Sequence, residues 1–136
     1  MVVSRRSARG WWVVISLLVV VAVAIVLPPL LSARDREEMA RALTGGNPQN
    51  APSLLRRYGC AGCHTIPSLH GADGKVGPPL ADLRSRVFIA GHLPNTGDNL
   101  IRFVVSPQST VPGTAMPDTG LNETQAHDVA AYLYAH

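Results

Sequence analysis

Apolar side chains run almost without interruption from residue 11 to residue 31. Val, Leu, Ile and Ala fill most of this stretch, and Ser16 is its only polar side chain. As a helix it would be about 31 Å long, close to the hydrocarbon thickness of a bilayer. Pro28 and Pro29 are expected to end or kink the helix. The pattern therefore predicts a single transmembrane anchor over these residues.

A cleaved secretory signal peptide is the alternative interpretation, because it also has a basic start and an apolar middle. The apolar stretch is long for a signal peptide, and the Ala-x-Ala motif at residues 22–24 lies inside it. The other candidate cleavage motif, residues 31–33, begins with the bulky Leu31. An uncleaved anchor is therefore favoured, and either interpretation exports the rest of the chain.

Polar positions return after the anchor. Residues 33–44 are expected to form a short charged helix, with Glu37 and Arg41 spaced for an i,i+4 ion pair. The sequence GGNP at residues 45–48 breaks that helix. Residues 32–47 are therefore predicted to be a charged stalk with a hinge.

Three further helices are expected, at about residues 51–58, at about residues 98–105, and after Asn122. The last begins with a variant of the capping box, in which Gln125 follows the Asn122 cap by three residues. No strand alternation is evident, and long Gly- and Pro-rich loops separate the helices. Such loops need a packing surface, which a flat apolar cofactor would supply. The predicted fold class is all-α, with the domain over residues 48–136.

Charge distribution argues against nucleic acid as a partner. The whole chain carries 12 Lys and Arg and nine Asp and Glu, a formal charge of +3. The excess comes from the three arginines before the apolar stretch, and residues 48–136 contain six basic and six acidic residues. Because nucleic-acid binding would require a clustered basic face, that class of function is set aside.

Cys60 and Cys63, the only cysteines, are followed by His64 in the pattern Cys-x-x-Cys-His. This is the attachment sequence for c-type heme. Two thiols at this spacing can reach the two vinyl groups of one porphyrin, and the adjacent imidazole then lies under the iron. A thioredoxin-like dithiol would call for a βαβ context, and a zinc site would need more ligands. One covalent heme c is therefore predicted, with His64 as its proximal metal ligand.

Met116 is the predicted second metal ligand. Met1 and Met39 lie outside the domain, whereas Met116 stands in the non-helical loop PGTAMP at residues 112–117. A lone Met is more often a core residue, but a Met in a rigid loop of a heme protein fits the role of ligand. His92 is the rival and would give bis-His ligation. The less suitable histidines are His70, which is close to His64 in sequence, and His127 and His136, which are expected to be solvated.

Other residues are predicted to contact the heme. Residues 77–80, GPPL, could return under the ring, with the Pro78 carbonyl accepting the second N–H of His64 and Leu80 packing on the heme. A plain turn is the alternative for this segment. The candidate donors to the heme propionates are Arg86 and Asn95, although a solvated Arg86 is an equal alternative.

These motifs together resemble class I (monoheme) cytochromes c. The matching segments are RRYGCAGCH at residues 56–64, GPPL, PGTAMP and the final helix ending AAYLYAH. Residues 88–108 are also similar to the cytochrome domains fused to subunit II of caa3-type cytochrome oxidases, and to small anchored cytochromes. The resemblance implies the class I cytochrome c fold around one covalent heme, with the first and last helices crossing. It also implies thioethers at the two cysteines and His64 and Met116 as axial ligands.

The chain departs from that family in two respects. Ala51 stands where such cytochromes usually have a Gly at the helix crossing, and Pro52 suits the first turn of a helix that starts late. The copper domain of an oxidase subunit II is not in the sequence. A separate anchored cytochrome is therefore expected.

Filled axial positions favour a one-electron carrier over an enzyme, because the iron then has no open site. Two alternatives are a heme peroxidase or gas sensor with a labile Met116, and a structural subunit with a spectator heme. An absorption band near the red edge, which marks Met–Fe(III), would discriminate against the first. Rapid reduction and reoxidation by membranes would exclude the second.

The resemblance also implies location and partners. Three arginines precede the apolar stretch and three follow it, so the positive-inside rule does not decide the orientation. The family attaches heme outside the cytoplasm, which implies a cytoplasmic segment at residues 1–10 and a periplasmic domain on the inner membrane. A terminal oxidase is the expected acceptor, and a bc1-type complex or a periplasmic dehydrogenase the expected donor.

Overall fold

The computed structural model describes the backbone of residues 5–136 and the side chains of residues 11–136. They form two compact units, one ending at Arg34 and the other running from Asp35 to His136. The predicted cytoplasmic segment, residues 1–10, lies outside the described residues except for its helical backbone from residue 5.

The first helix, α1, spans Arg5–Thr44. Its stretch Trp11–Thr44 is long and apolar enough to cross a membrane, although a signal sequence near an N-terminus passes the same test. Pro28 and Pro29 lie inside α1, so the helix does not end there, and the other expectation, a kink, stays a prediction. A proline removes one helical hydrogen bond, but the turns around it can continue where its ring is accommodated, as in many apolar spans.

The second unit is helical, which confirms the all-α prediction. The elements after α1 are α2 (Ala51–Arg57), α3 (Cys60–Cys63), α4 (Gly97–Val105), α5 (Pro107–Thr110) and α6 (Glu123–Ala135), with 3₁₀ turns at Pro48–Asn50 and Leu83–Ser85. The three helices expected from periodicity correspond to α2, α4 and α6. The single turns α3 and α5 are too short to produce a periodic pattern.

The core of this unit lies where α6 meets α2 and α4. Ala51 of α2 and Ala126 and Ala130 of α6 are completely buried, and their small side chains allow the helix backbones to come close. Leu55 and Val129 fill the remaining space and are almost completely buried. Helices α2 and α6 are in contact, as the resemblance implies for the first and last helices of the domain.

The start of α6 is the predicted capping box. Asn122 Oδ1 accepts a hydrogen bond from Gln125 N at 2.9 Å, and Gln125 Oε1 accepts one from Asn122 N at 3.1 Å. Both backbone donors at the helix start are therefore satisfied.

A small hairpin lies between the helices, where no strand was expected. Strand β1 (Phe88–Ile89) pairs antiparallel with β2 (Leu93–Pro94). Ala90 and Gly91 between them both have positive φ, 49° and 79°. Two-residue strands are too short for a period-two pattern, which explains why the sequence did not predict them.

The end of α1 packs into the second unit. Ala40 is completely buried, and Thr44 is 3% exposed. The His127 ring of α6 is hydrogen-bonded to the Thr44 carbonyl, and the Asp128 carboxylate accepts a hydrogen bond from Asn47 N at 2.7 Å. Most of the segment that the sequence treats as a stalk is therefore part of the compact unit.

The unit starts at Asp35 rather than at residue 48, where the sequence placed the domain boundary. At the expected hinge, Gly46 is so close to α6 that a β-carbon on it would lie 2.0 Å from the carbonyl oxygen of His127. The Glu37–Arg41 ion pair is present at 3.9 Å. Since both side chains of that pair are partly exposed, it contributes little to holding the segment in place.

Candidate cofactor-binding site

A single helical turn, α3, presents the two cysteines. It follows Gly59, whose φ of 75° lies in the left-handed region that glycine adopts readily. Cys60 and Cys63 are free thiols, each partly buried. Burial is the largest effect and raises the pKa of the Cys60 thiol; a backbone hydrogen bond lowers this pKa in part, and the neighbouring Cys63 raises it. The Cys60 thiol therefore stays protonated at neutral pH.

One cavity brings together seven of the residues that the sequence assigns to the site, and Asn95 is not among them. The predicted residues that line it are Cys60, Cys63, His64, Pro78, Leu80, Arg86 and Met116. Most of the remaining wall is apolar and comes from the helices, the hairpin and the loops, including Leu55, Val76, Leu83, Phe88, Ile89, Leu100, Phe103, Val104, Val129 and Leu133. The few polar atoms of the site are thus set in a surface that consists mainly of carbon.

His64 is held on this wall by the loop that follows it. Its Nδ1 lies 2.7 Å from the carbonyl oxygen of Pro78, the acceptor named from the sequence. Gly77 N donates to the Cys63 carbonyl at 2.8 Å, so the loop returns to the Cys-x-x-Cys-His turn. Because a carbonyl only accepts, Nδ1 is the protonated nitrogen, which leaves the lone pair on Nε2 available to a metal.

Met116 lies on the same cavity wall, in the loop that the sequence singled out. Its side chain is partly buried, and Thr114, Ala115 and Pro117 line the cavity beside it. Gln108 Nε2 donates hydrogen bonds to the carbonyls of Thr114 and Met116, at 2.6 and 2.8 Å. The thioether is therefore carried by a loop that a side chain from α5 holds.

The two candidate donors to propionates, Arg86 and Asn95, differ in the hydrogen bonds that they make within the protein. Arg86 lines the cavity while its Nη2 donates to the carbonyls of Pro79 and Ala81. Asn95 Nδ2 donates to the carbonyls of Leu83 and Arg86, at 2.7 and 2.8 Å. Both N–H groups of the Asn95 amide are thus engaged inside the protein, and the expectation that Asn95 serves a propionate is wrong.

The other histidines lie away from this cavity in the described part of the chain. His70 and His92 are exposed in loops, and His136 is exposed at the last position. His127 was expected to be solvated, but it is partly buried because the end of α1 packs on it and the Thr44 carbonyl bonds its ring.

Two features of the site were not predicted. The hairpin contributes residues 88–90 to the wall, and Gln108 holds the carbonyls of the Met116 loop. The apolar residues Phe88 and Ile89 were only a weak indication that this segment belongs to the wall. Nothing in the sequence indicated the role of Gln108, because a hydrogen bond from a side chain to a carbonyl depends on the path of the loop rather than on the local sequence pattern.

The chemistry of the wall fits a large, flat, apolar group that carries iron. Two thiols can form covalent bonds, and an imidazole and a thioether are established ligands of heme iron. Without such a group, the apolar wall would face solvent at a cost of about 25 cal/mol per Å². At the mouth, Val76 and Phe88 are 86% and 51% exposed.

Comparisons with known proteins give a consistent result. The family model described as Cytochrome c matches residues 49–135. The chain is 33% identical over 81 residues to a cytochrome c oxidase subunit 2 from Alkalihalophilus pseudofirmus, covering 59% of this chain and 23% of that protein. It is 36% identical over 78 residues to a cytochrome c oxidase subunit 2 from Bacillus sp. strain PS3, covering 54% and 22%. The chain thus spans less than a quarter of these curated relatives, and no solved structure matches it significantly.

Proposed function

The chain belongs to the cytochrome c family of electron-transfer proteins with covalently bound heme c, and we propose that it carries single electrons through one heme ligated by His64 and Met116. The observation that carries this proposal is the cavity, which brings both cysteines, an imidazole and a thioether onto one otherwise apolar wall. When bound there, the heme iron supplies a reversible one-electron couple.

Cys60 and Cys63 would hold the heme by adding their S–H bonds across its two vinyl groups, which forms thioethers and needs no oxidant. The raised pKa of Cys60 keeps this thiol neutral until it reacts. His64 would bind the iron through Nε2, because Nδ1 donates to the Pro78 carbonyl. That hydrogen bond fixes the tautomer and the ring orientation and increases the basicity of the ligand.

Met116 would fill the sixth position, raising the potential and leaving no site for a substrate or for O₂. Leu80 would pack against the heme as part of the apolar wall. Arg86 would direct its remaining N–H groups to a propionate, since only Nη2 is used by the carbonyls of Pro79 and Ala81.

The carrier is proposed to be tethered to the inner membrane by one crossing over residues 11–31, with residues 1–10 in the cytoplasm and the heme domain in the periplasm. The length and apolar composition of α1 support the tether. The orientation follows from the resemblance to class I cytochromes c, which implies heme attachment outside the cytoplasm. A tether raises the effective concentration of the heme domain for partners in the same membrane.

A terminal oxidase is the proposed acceptor, supported by similarity to proteins named cytochrome c oxidase subunit 2. A bc1-type complex or a periplasmic dehydrogenase is the proposed donor. Val76 and Phe88 at the cavity mouth are exposed, and residues 48–136 carry equal numbers of basic and acidic side chains. Partner contact is therefore proposed to be apolar and transient, with little dependence on salt.

The test is a Met116→Ala variant of the full chain, compared with the parent and with His92→Ala. Purified parent protein should keep its pigment through acid–acetone treatment and show the Met–Fe(III) absorption band near the red edge. Met116→Ala should lose the band and have a lower midpoint potential, whereas His92→Ala should retain both. A Met116→Ala protein with the coordination and potential of the parent would exclude Met116 as the ligand.

A further inference from the structure

The loop that carries Met116 has few backbone hydrogen bonds. Over residues 112–118 the described structure has one backbone–backbone hydrogen bond, from Thr114 N to Val111 O at 3.1 Å. Met116 N reaches Thr114 Oγ1 at 3.4 Å, which is long for a hydrogen bond. The loop backbone alone therefore does little to fix where the Met116 side chain lies.

Gln108 supplies the missing support. Its Nε2 donates to the carbonyl of Thr114 at 2.6 Å and to that of Met116 at 2.8 Å. An amide NH₂ has two hydrogens, and both are used here. Since both partners are carbonyl oxygens, only this orientation of the amide forms bonds, because the reversed amide would place oxygen against oxygen.

The backbone beneath Gln108 is itself well held. Pro107, the preceding residue, is among the most deeply buried side chains of the chain. Helix α5 packs on α4, and Thr110 Oγ1 also bonds the Arg102 carbonyl at 3.2 Å. The Gln108 side chain thus extends from a fixed base, while the side chain itself lies on the surface.

We propose that Gln108 is a positioning residue for Met116, holding the carbonyls of residues 114 and 116 so that the thioether stays on the cavity wall. This inference rests on the proposed ligation of heme iron by Met116. Without the two hydrogen bonds, the loop moves away from the cavity wall more easily. An added ligand then competes more successfully with Met116 for the heme iron.

The experiment uses the full-length holoprotein and imidazole as the competing ligand of the ferric iron. Gln108→Ala removes the donors, and Gln108→Glu keeps the size of the side chain but cannot donate at pH 7. Both variants should bind imidazole about tenfold more tightly than the parent, which corresponds to about 1.4 kcal/mol. Both should also have a weaker Met–Fe(III) band and a lower midpoint potential. Ser109→Ala, on the same turn, is the matched control and should match the parent.

The outcomes separate the two proposals. If Gln108→Ala and Gln108→Glu bind imidazole as the parent does, while Met116→Ala loses the band, the role of Gln108 is overturned and ligation by Met116 stands. If Met116→Ala retains the coordination of the parent, both proposals fail. Equal effects in Ser109→Ala and Gln108→Ala would also overturn the inference, because any change on this turn would then have the same result.

Discussion

Gly77 is so close to His64 that a β-carbon on it would lie 2.3 Å from Cε1 and 2.6 Å from Nδ1 of the imidazole. Such distances can be relieved only by moving the ring or the backbone. The same Nδ1 is hydrogen-bonded to the next residue of the loop, Pro78, through its carbonyl. The absence of a side chain at residue 77 is therefore a condition for the observed position of the His64 ring.

Gly77→Ala should displace the His64 ring and weaken its bond to Pro78. We expect a loss of about 2 kcal/mol in the free energy of unfolding, from overpacking and the weakened hydrogen bond. Denaturant unfolding of the holoprotein measures this loss, and the Soret spectrum reports the change at the iron. Gly62→Ala is the matched control, since a β-carbon there meets no atom within 4 Å. Equal losses in the two variants would contradict the proposed contact.

Asn122→Ala should destabilise the domain by removing the cap of α6. The variant loses the acceptor for Gln125 N and leaves a backbone donor at the helix start without a partner. The expected loss is about 1 kcal/mol. Asn122→Ser retains an acceptor and should recover most of the stability, as measured by thermal unfolding. If Ser were as destabilising as Ala, the cap would not be the cause.

Local patterns predicted those parts of the structure that local physics determines. The periodicity of apolar residues identified α2, α4 and α6, and the pair Asn122 and Gln125 identified the start of α6. The GPPL segment was also informative: the Pro78 carbonyl lies beside His64 Nδ1, and Gly77 lets the backbone come close to the ring. Seven of the residues assigned to the site line one cavity, and all of these except Arg86 stand in the short motifs CAGCH, GPPL and PGTAMP.

Features that depend on long-range packing were not predictable in this way. Residues 45–48 have the composition of a hinge, yet Gly46 there lies against the backbone of α6, more than 80 residues later. Glycine predicts flexibility and close approach equally well, and only the fold decides between them. The bond from Gln108 to the Met116 carbonyl likewise needs the loop path to be known.

Asp128→Ala should release the segment that was expected to be a hinge. Its carboxylate accepts hydrogen bonds from Asn47 N at 2.7 Å and from Asn50 Nδ2 at 2.9 Å. Hydrogen bonds to a charged group are stronger than neutral ones, so we expect a loss of about 2 kcal/mol. Limited proteolysis should cut the variant near residues 45–50 faster than the parent.

The control for this variant is Asp73→Ala, because Asp73 is exposed and its side chain makes no hydrogen bond within the described residues. It should be cut at the rate of the parent. A parent protein already cut rapidly at residues 45–50 would instead support the flexible stalk.

Tyr134→Phe should be less stable than the parent at neutral pH, and this difference in stability should shrink at alkaline pH. Burial raises the pKa of Tyr134 above its ordinary value of 10.0, and its hydroxyl donates to Asn95 Oδ1 at 2.7 Å. The folded protein therefore holds the phenol proton more tightly than the unfolded chain does. Its stabilising contribution is fully present below pH 10 and is lost as the pH rises through the folded pKa.

At pH 7 the free energy of unfolding of Tyr134→Phe should be about 1 kcal/mol lower than that of the parent, because the hydrogen bond to Asn95 is lost. Above a pH of about 10 the difference should shrink, since only the parent can ionise at residue 134. Denaturant unfolding of both proteins at neutral and alkaline pH measures this difference. Tyr132→Phe should show a shrinking difference of the same sign, because burial also raises the pKa of Tyr132. A difference between Tyr134→Phe and the parent that stays constant into alkali would mean that the Tyr134 phenol titrates alike in the folded and unfolded states.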